Sequence, residues 1–368
     1  MRSSISRDEL RAEFPILRRY IYLDHAATGP LPLRSVAKMT QLLERMTTGV
    51  IPPDEAFGLI EATRRELARL VGCSVEEIAL IKNTTAGLLI AIGSIEFQPG
   101  DNVILQQGGF PANQYPWHYL LPQVEKRYLD PGQPIPEQLD RLIDGRTRAV
   151  SVDLVDYLTG IRIDLEEIRE LLPDEVYLIT DGIQAIGAVA VDLGPVDFLT
   201  CGSGKWLLSP QGTGFLYVKR EKLDRLRLTN IGWLSSEWKG FTELKIRPIR
   251  TTAARFEEGT PNLVGLAGMG ESVRMLNSIG IEVIESSIRQ LTRLIKDGVD
   301  REEFEVVTPR LESGIVTLRP KREIKGYKER LDGAGIIVSE RMGCLRISPH
   351  FYNTEAEIER LIEVLNRK

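Results

Sequence analysis

Short apolar runs alternate with helix-like segments between residues 56 and 218, and this alternation restricts the possible folds more than any other feature. The apolar runs cover residues 78–81, 102–105, 149–153 and 177–180. Helical patterns lie before and between them, including one that stops at Gly72 and one that opens with a capping box at Asp164. Parallel strands need a crossover connection, usually a helix, and are buried on both faces. The pattern therefore predicts an α/β fold with a mostly parallel central sheet flanked by helices.

The pattern changes near residue 256. Two long helical segments, residues 261–279 and 281–296, precede strand-like runs at residues 314–318 and 336–338. This order predicts a smaller α+β domain at the C-terminus. We expect a large domain over residues 20–255 and a small domain over residues 256–368, which the N-terminal residues 1–19 join.

Lys205 is the first candidate for chemistry. It lies in the segment CGSGKW, residues 201–206, which follows an apolar run and precedes the turn-rich residues 209–214. Small residues leave room for a ligand and turn backbone N–H groups outward, as a bound phosphate requires. A partly desolvated lysine loses proton affinity and becomes nucleophilic. Lys205 is therefore a candidate Schiff-base lysine beside a phosphate, although a lysine after a strand is more often a solvated surface residue.

Asp181 is the second candidate, because it directly follows the apolar run at residues 177–180. Ligands of open α/β sheets bind at the carboxyl ends of the strands, so Asp181 and Lys205 are expected over the same crevice. Pyridoxal 5′-phosphate needs this pair: its aldehyde condenses with a lysine, and its ring nitrogen stays protonated beside a carboxylate. The two residues together predict this cofactor.

Seven segments of the chain, in order, resemble motifs of the class V aminotransferase family, whose members are pyridoxal-phosphate enzymes of fold type I. The segments are YLDHAAT (22–28), NTTAG (83–87), FPANQYPW (110–117), DGIQ (181–184), CGSGKW (201–206), RFEEGTPN (255–262) and LRISPHFYN (345–353). The family includes cysteine desulfurases, selenocysteine lyases, kynureninase and isopenicillin epimerase-like proteins. The resemblance runs nearly end to end and implies the fold type I architecture.

The resemblance also implies a role for each matching residue. Lys205 matches the lysine that forms the Schiff base, Asp181 the partner of the ring nitrogen, and Arg346 the arginine that binds the substrate α-carboxylate. His25 matches a pocket-lining segment, so it either contacts the substrate or supports a loop. Further cofactor contacts are implied for the phosphate (Thr84, Thr85, Ser203 and, from the other subunit, Thr260), the phenolic oxygen (Gln184) and the surroundings of the ring (Phe110, Asp156). A homodimer with shared sites follows from the match of Thr260.

The resemblance implies an enzyme that acts on an α-amino acid through an external aldimine and α-proton abstraction, as an aminotransferase or a β-lyase. Cysteine desulfurase or selenocysteine lyase is the alternative, followed by an amino-acid epimerase and a non-catalytic family member. Phe110 stands where desulfurases carry a histidine, and a phenyl ring can stack but cannot relay a proton. Desulfurases also present a cysteine on a mobile segment, whereas Cys344 lies close before Arg346 in an expected strand. We therefore expect Cys344 to be a core or wall residue.

The amino-acid composition excludes few functional classes of protein. Lys plus Arg number 47 against 52 Asp plus Glu, so nothing favours a nucleic-acid partner. Three cysteines without regular spacing argue against a disulfide framework, and His25, His118 and His350 are too scattered for a metal motif. No apolar run reaches membrane-spanning length, and residues 1–11 lack the apolar stretch of a signal peptide. We expect a cytoplasmic protein whose partner is a small amino-acid substrate, with no bound metal and no membrane contact.

Overall fold

The computed structural model describes residues 6–237, 245–309 and 313–367. The α-helices in these ranges are α1 (Arg7–Ala12), α2 (Leu33–Thr48), α3 (Pro53–Val71), α4 (Thr84–Ser94), α5 (Tyr115–Tyr119), α6 (Ile135–Leu142), α7 (Leu165–Leu171), α8 (Leu263–Ile279), α9 (Ile281–Gly298), α10 (Ile324–Gly333) and α11 (Glu355–Asn366). The strands are β1 (Ile21–Tyr22), β2 (Ile78–Ile81), β3 (Asn102–Gln106), β4 (Glu125–Leu129), β5 (Thr147–Asp153), β6 (Tyr177–Asp181), β7 (Phe198–Gly202), β8 (Gly214–Val218), β9 (Phe304–Val306), β10 (Val316–Pro320), β11 (Ile336–Ile337), β12 (Ser339–Arg341) and β13 (Cys344–Ile347).

The central sheet has seven strands in the order β2-β8-β7-β6-β5-β3-β4. Its pairs from β7 to β4 are parallel, while β8 is antiparallel to both of its neighbours, β7 and β2. Only β8 therefore runs against the other strands of this sheet. The predicted α/β fold with a mostly parallel central sheet is confirmed.

Both faces of the central sheet are covered, as the apolar strand sequences require. On β3, Val103 and Leu105 pack into one hydrophobic cluster, which contains Trp117 and residues of α4. Ile104, between them, points to the opposite face and packs into the cluster that contains Leu67 of α3. Successive side chains of a strand point to opposite faces, so a single strand supplies both cores.

The local sequence of α3 explains where this helix begins, which residues it buries and where it ends. Asp54 and Glu55 lie in its first turn, where acidic side chains complement the positive end of the helix dipole. Its apolar positions bury Ile60 and Leu67 against the sheet. The helix ends at Gly72, whose φ of 71° is the left-handed conformation that glycine adopts without strain. The predicted stop at Gly72 is confirmed.

The C-terminal part contains an antiparallel sheet in the order β12-β13-β10-β9, packed against α9, α10 and α11. The two predicted long helices are present as α8 and α9. However, α8 packs on α2 and α3, and its buried residues belong to the cluster of the central sheet. The domain boundary at residue 256 remains a prediction.

The N-terminal segment is joined to the C-terminal part. β1 pairs in parallel with β11, and Asp24 forms an isolated parallel bridge with Ser348. Arg11 of α1 donates to the carbonyl of Tyr352 over 2.7 Å and pairs with Glu357 of α11. Residues 1–5 of the predicted N-terminal segment lie outside the described residues. Among the helices described, none is long and apolar enough to cross a membrane.

Candidate active site

Three chemically important side chains lie at the carboxyl edge of the central sheet. Asp153 ends β5, Asp181 ends β6, and Lys205 follows β7. Lys205 and Asp181 are close enough for each charge to change the pKa of the other. The structure thus places the predicted lysine and carboxylate at one crevice, at the sheet edge where ligands of α/β folds bind.

Asp181 is 2% exposed and only partly hydrogen bonded. Its Oδ1 accepts a bond from the N–H of Ile183 over 2.9 Å. Its Oδ2 is buried and has no partner among the described residues. Burial, and then the nearby charge of Asp153, raises the pKa of Asp181 to about 8. A buried carboxylate oxygen without a donor is costly, so this atom is suited to a ligand that brings a proton.

Lys205 is positioned by the chain around it. Gly29 donates from its N–H to the carbonyl of Gly204 over 2.9 Å. A Cβ on Gly29 would lie 2.0 Å from the carbonyl oxygen of Lys205, so the two backbones meet here at a distance that only glycine allows. Burial, assisted by Arg346 and opposed by Asp181, lowers the pKa of Lys205 to about 8. With this pKa, about one-fifth of the amine is neutral at pH 7.4, far more than in an ordinary lysine, and the neutral amine is the form that acts as a nucleophile or base.

The N-terminus of α4 faces the same edge and is tied to β7. Thr84 accepts a bond on Oγ1 from the N–H of Gly202 over 2.9 Å, and its carbonyl accepts from the hydroxyl of Thr200 over 3.0 Å. Asn83 caps the helix by accepting from the N–H of Ala86. Thr85 is exposed at the first turn. The first turn and its positive dipole are suited to a phosphate group.

Ser203 and Gln184 both have partners inside the protein. The hydroxyl of Ser203 lies 2.7 Å from the carbonyl oxygen of Pro210 and 2.5 Å from Oγ1 of Thr213, so it braces the turn after Lys205. Gln184 donates to the carbonyl of Ala26 over 3.0 Å and accepts from the indole N–H of Trp206 over 2.9 Å. An amide nitrogen carries two hydrogens, so Gln184 keeps one for a further acceptor. Their predicted cofactor contacts remain predictions.

Asp153 is a site residue that the sequence analysis did not identify. Its Oδ2 accepts from the backbone N–H of Phe110 over 2.8 Å, and its Oδ1 accepts from the side-chain amide of Asn113 over 3.0 Å. It thereby holds the loop that carries Phe110 to the end of β5. The available signal was its position at the end of an apolar run, the same position that marked Asp181.

Phe110 lies beside the lysine, while Asp156 lies in a turn. The Nζ atom of Lys205 is 5.7 Å from the centroid of the Phe110 ring, which is 41% exposed. Asp156 accepts on Oδ1 from the N–H and the hydroxyl of Thr159, and on Oδ2 from the amide of Gln106 over 3.2 Å. Both carboxylate oxygens of Asp156 thus bond to protein groups, and its predicted cofactor contact remains a prediction.

Arg346 is a buried arginine with unused donors. It is 2% exposed, donates from one terminal nitrogen to the carbonyl of Tyr157 over 2.9 Å, and lies 3.8 Å from the carboxylate of Asp24. Its Nε is buried without a partner among the residues described. Burial lowers the pKa of Arg346 to about 10, so the side chain remains a cation at neutral pH. A guanidinium with free N–H groups is suited to a carboxylate.

His25 has no exposed surface. Its Nδ1 donates to the carbonyl of Ser348 over 2.7 Å, and its Nε2 accepts from the hydroxyl of Tyr352. Its ring also packs against those of Trp206 and His350. Burial lowers the pKa of His25 well below its ordinary value. Of the two roles that the sequence left open, this placement favours the support of a loop.

Thr260 lies apart from these groups, on the surface. It is exposed and lines a cavity of about 680 Å³ with residues of α4 and of the segment before α8. A second, apolar cavity of about 440 Å³ adjoins it at Leu89 and is lined by Phe110, Tyr115 and Tyr119. The structure describes one chain, so the predicted contact of Thr260 with a second subunit remains a prediction.

The chain was compared with known proteins. The family model described as aminotransferase class-V matches residues 21–361. The chain is 28% identical to a probable cysteine desulfurase of Methanothermobacter thermautotrophicus, with 97% of each chain covered. It is 26% identical to YcbU of Bacillus subtilis, described as an uncharacterized aminotransferase, over 85% of each chain.

Two solved structures share the fold. The apo cysteine desulfurase of Thermococcus onnurineus is 24% identical, with a TM-score of 0.87 over 99% of this chain and 98% of that one. The cystine C-S lyase C-DES in complex with its product cysteine persulfide is 20% identical, with a TM-score of 0.87 over 96% of this chain and 99% of that one. Both likenesses extend over nearly the whole of each chain.

Proposed function

This chain belongs to the class-V aminotransferase family of pyridoxal-phosphate-dependent enzymes, and on that premise we propose that it binds an α-amino acid through Arg346 and removes its α-proton with Lys205, as an aminotransferase or a β-lyase. Membership of this family confirms that the protein is a pyridoxal-phosphate-dependent enzyme, as predicted. One observation carries the assignment of residues: a lysine whose pKa is lowered to about 8 lies beside a buried carboxylate with an unpartnered oxygen.

The residues of the crevice fit pyridoxal phosphate. Asp181 would accept a hydrogen bond at Oδ2 from the protonated ring nitrogen, because a cationic partner favours the carboxylate form of a buried acid. Thr84 and Thr85 would hold the phosphate at the start of α4. Lys205 would hold the aldehyde carbon, and Gln184 would donate to the phenolic oxygen. When bound, the cofactor supplies an electron sink for the bond that breaks at the α-carbon.

The chain's own residues then bind the substrate and move its proton. Arg346 is a buried cation with an unpartnered Nε, so it binds the α-carboxylate and orients the α-carbon. Lys205 takes the α-proton at Nζ, because its lowered pKa leaves about a tenth of the amine neutral at pH 7, far more than in an ordinary lysine. Proton transfer by such a positioned base is typically worth about 10²–10⁴-fold in rate.

Cysteine desulfurase is the second candidate, because several relatives carry that description. A desulfurase that forms a persulfide on its own cysteine needs an accessible thiol. Cys344 is 1% exposed within β13, and Cys201 is buried within β7, where burial raises the pKa of its thiol well above the ordinary value. Cys73 lies after α3, at a distant corner beside Glu77. This placement of the thiols favours chemistry without a protein persulfide.

We further propose that the protein is a homodimer in which Thr260 reaches the cofactor phosphate of the partner subunit. The exposed position of Thr260 and the neighbouring exposed apolar side chains of Leu89, Tyr115 and Tyr119 support this proposal. Large exposed apolar side chains that cluster on one face are typical of protein interfaces. The cytoplasmic location also remains a prediction.

Visible absorbance tests the proposed function. Purified protein with pyridoxal phosphate should show a band that is absent from Lys205→Ala, and amino acids should shift that band. Lys219→Ala, at a partly exposed lysine beyond β8, is the matched control and should keep the band. A wild-type protein without a Lys205-dependent band would refute the proposal.

A further inference from the structure

Met342 occupies a backbone conformation that methionine rarely adopts. β12 and β13 form a hairpin whose loop is Met342 and Gly343, with φ of 50° and 73°. Two residues with positive φ form a type I′ turn, in which Asn-Gly or Gly-Gly is preferred because side chains strain this conformation. The Met342 side chain is nevertheless 77% exposed, so burial does not offset the strain. Backbone strain of this kind clusters at functional sites, so the contacts of the Met342 side chain are candidates for a function.

Met342 reaches across to the candidate active site. Its sulfur lies 3.8 Å from the hydroxyl of Tyr157. The Tyr157 ring meets the Phe110 ring edge to face, with centroids 5.3 Å apart. The Phe110 ring in turn lies beside Lys205. Met342, Tyr157 and Phe110 therefore form a continuous line of apolar side chains from the hairpin to the lysine, which we name the apolar wall.

The apolar wall lies where a substrate side chain would extend. Arg346 donates to the backbone carbonyl of Tyr157, so the carboxylate-binding group and the wall are in contact. With the proposed roles, the α-carbon of a substrate would lie between Arg346, which contacts Tyr157, and Lys205, which lies beside Phe110. The turn that carries Tyr157 is held by Asp156, whose Oδ1 accepts from the N–H groups of Leu158 and Thr159. The structure thus supports the wall as a fixed surface.

The charged groups around the wall lie at its edges: Lys205 beside the Phe110 ring and Arg346 at the backbone of Tyr157 are the groups assigned to the α-carbon and the α-carboxylate. Asp156 lies behind it, with both oxygens hydrogen bonded. Arg341 is exposed at the rim and donates to the backbone carbonyl of Glu340. Asp153 lies beneath the Phe110 loop and bonds to its backbone. An apolar side chain would cover the apolar surface of Met342 and Phe110 from water, whereas a small polar side chain would leave it wet.

We propose that the apolar wall selects an α-amino acid with a large apolar side chain, thioether or aromatic, over small polar ones such as serine or cysteine. The proposal rests on the proposed function, because it assumes the α-carboxylate at Arg346 and the α-carbon at Lys205. It assigns Met342, Tyr157 and Phe110 as specificity-determining residues.

Amino-acid titrations of the cofactor-loaded protein test the proposal. Dissociation constants come from the shift of the cofactor band with L-methionine, L-phenylalanine, L-alanine, L-serine and L-aspartate. Methionine and phenylalanine should bind at least about tenfold more tightly than alanine and serine, the size expected when several methylene groups leave water. Equal binding of all five, no response from any, or tightest binding of serine would overturn the proposal. Tightest binding of aspartate would also overturn it and would implicate Arg341.

Met342→Asn separates function from stability. Asparagine tolerates positive φ, so the variant should keep or raise the melting temperature of the cofactor-free protein. It should also weaken the binding of methionine by about fivefold or more and change that of alanine less than about twofold. Met46→Ala, at a methionine 53% exposed on α2, should leave both affinities unchanged. Equal weakening of methionine and alanine by Met342→Asn would overturn the proposal.

Phe110→Ala is a second, independent test of the proposed specificity. It removes the ring but keeps the backbone N–H that bonds to Asp153. Phenylalanine should lose more affinity than alanine, whereas an unchanged ratio would overturn the proposal. Failure of the proposed function looks different, because the Lys205-dependent band would then be missing before any amino acid is added.

Discussion

Asp153 and Asp181 are register partners on adjacent parallel strands, β5 and β6, so two carboxylates end at one pocket. Burial raises the pKa of Asp153 to about 6, and burial with the charge of Asp153 raises that of Asp181 to about 8. Two like charges in a buried site oppose each other's ionisation. Asp181 can therefore keep a proton until a cationic group reaches its free oxygen.

The raised pKa of Asp181 predicts how the stability of the cofactor-free protein depends on pH. The pKa of Asp181 in the folded protein, about 8, exceeds its ordinary value of 3.8. The contribution of Asp181 to the free energy of unfolding is therefore complete below pH 4 and is lost as the pH rises through 8. Between pH 6 and 8, the titration of Asp181 should lower the free energy of unfolding of the wild-type protein by at most about 1.4 kcal/mol per pH unit. Asp181→Asn should abolish this decline. Urea unfolding at pH 6 and 8 measures it. Asp174→Asn, at an exposed aspartate, should keep the wild-type decline; an unchanged decline in Asp181→Asn would contradict the prediction.

Arg346→Lys should weaken amino-acid binding by about 10- to 100-fold, because an ammonium cannot reproduce the planar guanidinium donors and one charge-assisted bond contributes about 1.5–3 kcal/mol. Titration of the cofactor band with an amino acid measures the loss. The corresponding amine without a carboxylate should bind both proteins alike. Arg289→Lys, at a half-exposed arginine of α9, is the matched control. An equal loss for amine and amino acid would show that Arg346 acts in another way.

Cys344→Ala should change the rate of amino-acid turnover less than about threefold. The thiol is buried in β13 and lies 3.8 Å from the carbonyl of Met342, so the change leaves a small void that costs about 1 kcal/mol of stability. Product assays and thermal melting measure the two effects, with Cys73→Ala as the matched control. Loss of sulfide release in Cys344→Ala alone would instead support persulfide chemistry.

Thr260→Ala should weaken the affinity for pyridoxal phosphate by about tenfold or more, because a hydrogen bond to a charged phosphate is lost. Hybrid dimers test whether the residue acts across the interface. When Thr260→Ala subunits are mixed with Lys205→Ala subunits, a shared site places both defects in one pocket and neither in the other. One site per hybrid should then bind the cofactor with wild-type affinity. Titrations that show only defective sites would place Thr260 and Lys205 of one chain in the same pocket.

Gly29→Ala should destabilise the protein and disturb Lys205, because the new Cβ would lie 2.0 Å from the lysine carbonyl oxygen. Gly58→Ala is a sharp control, since a Cβ at this position of α3 meets nothing within 4 Å. It should stabilise the helix by about 0.5–1 kcal/mol. Thermal melting and the Lys205-dependent absorbance band measure both variants. A Gly29→Ala protein with a normal band and melting temperature would contradict the close approach.

Sequence reasoning was sufficient where local pattern determines structure. The strand around Ile104, the stop at Gly72 and the N-cap at Asp164 follow from periodicity and capping chemistry, and all three are present; at Asp164 the side chain accepts from the N–H groups of Glu166 and Glu167, without the reciprocal bond of a full capping box. Asp181 and Lys205 were found because strand ends meet at one edge of a parallel sheet. This topology converts positions in the sequence into proximity in space.

The residue roles that the sequence did not predict depend on contacts between distant parts of the chain. The engagement of Ser203 by the turn at Thr213 and of His25 by Tyr352 depends on side-chain directions that no spacing predicts. Asp153 was missed because its partners, Phe110 and Asn113, lie on a loop far away in sequence. The same reason applies to Met342, whose role depends on a turn type and on a contact with Tyr157.

The pairing of β1 with β11 has a consequence for synthesis. A nascent chain that emerges from the ribosome carries Ile21 and Tyr22 long before their partners, Ile336 and Ile337, are added. Until then the edge of β1 is unpaired and open to wrong partners. Arg346 lies beyond this point of the chain as well. A chain that has not yet reached Arg346 therefore lacks the side chain proposed to bind the substrate carboxylate.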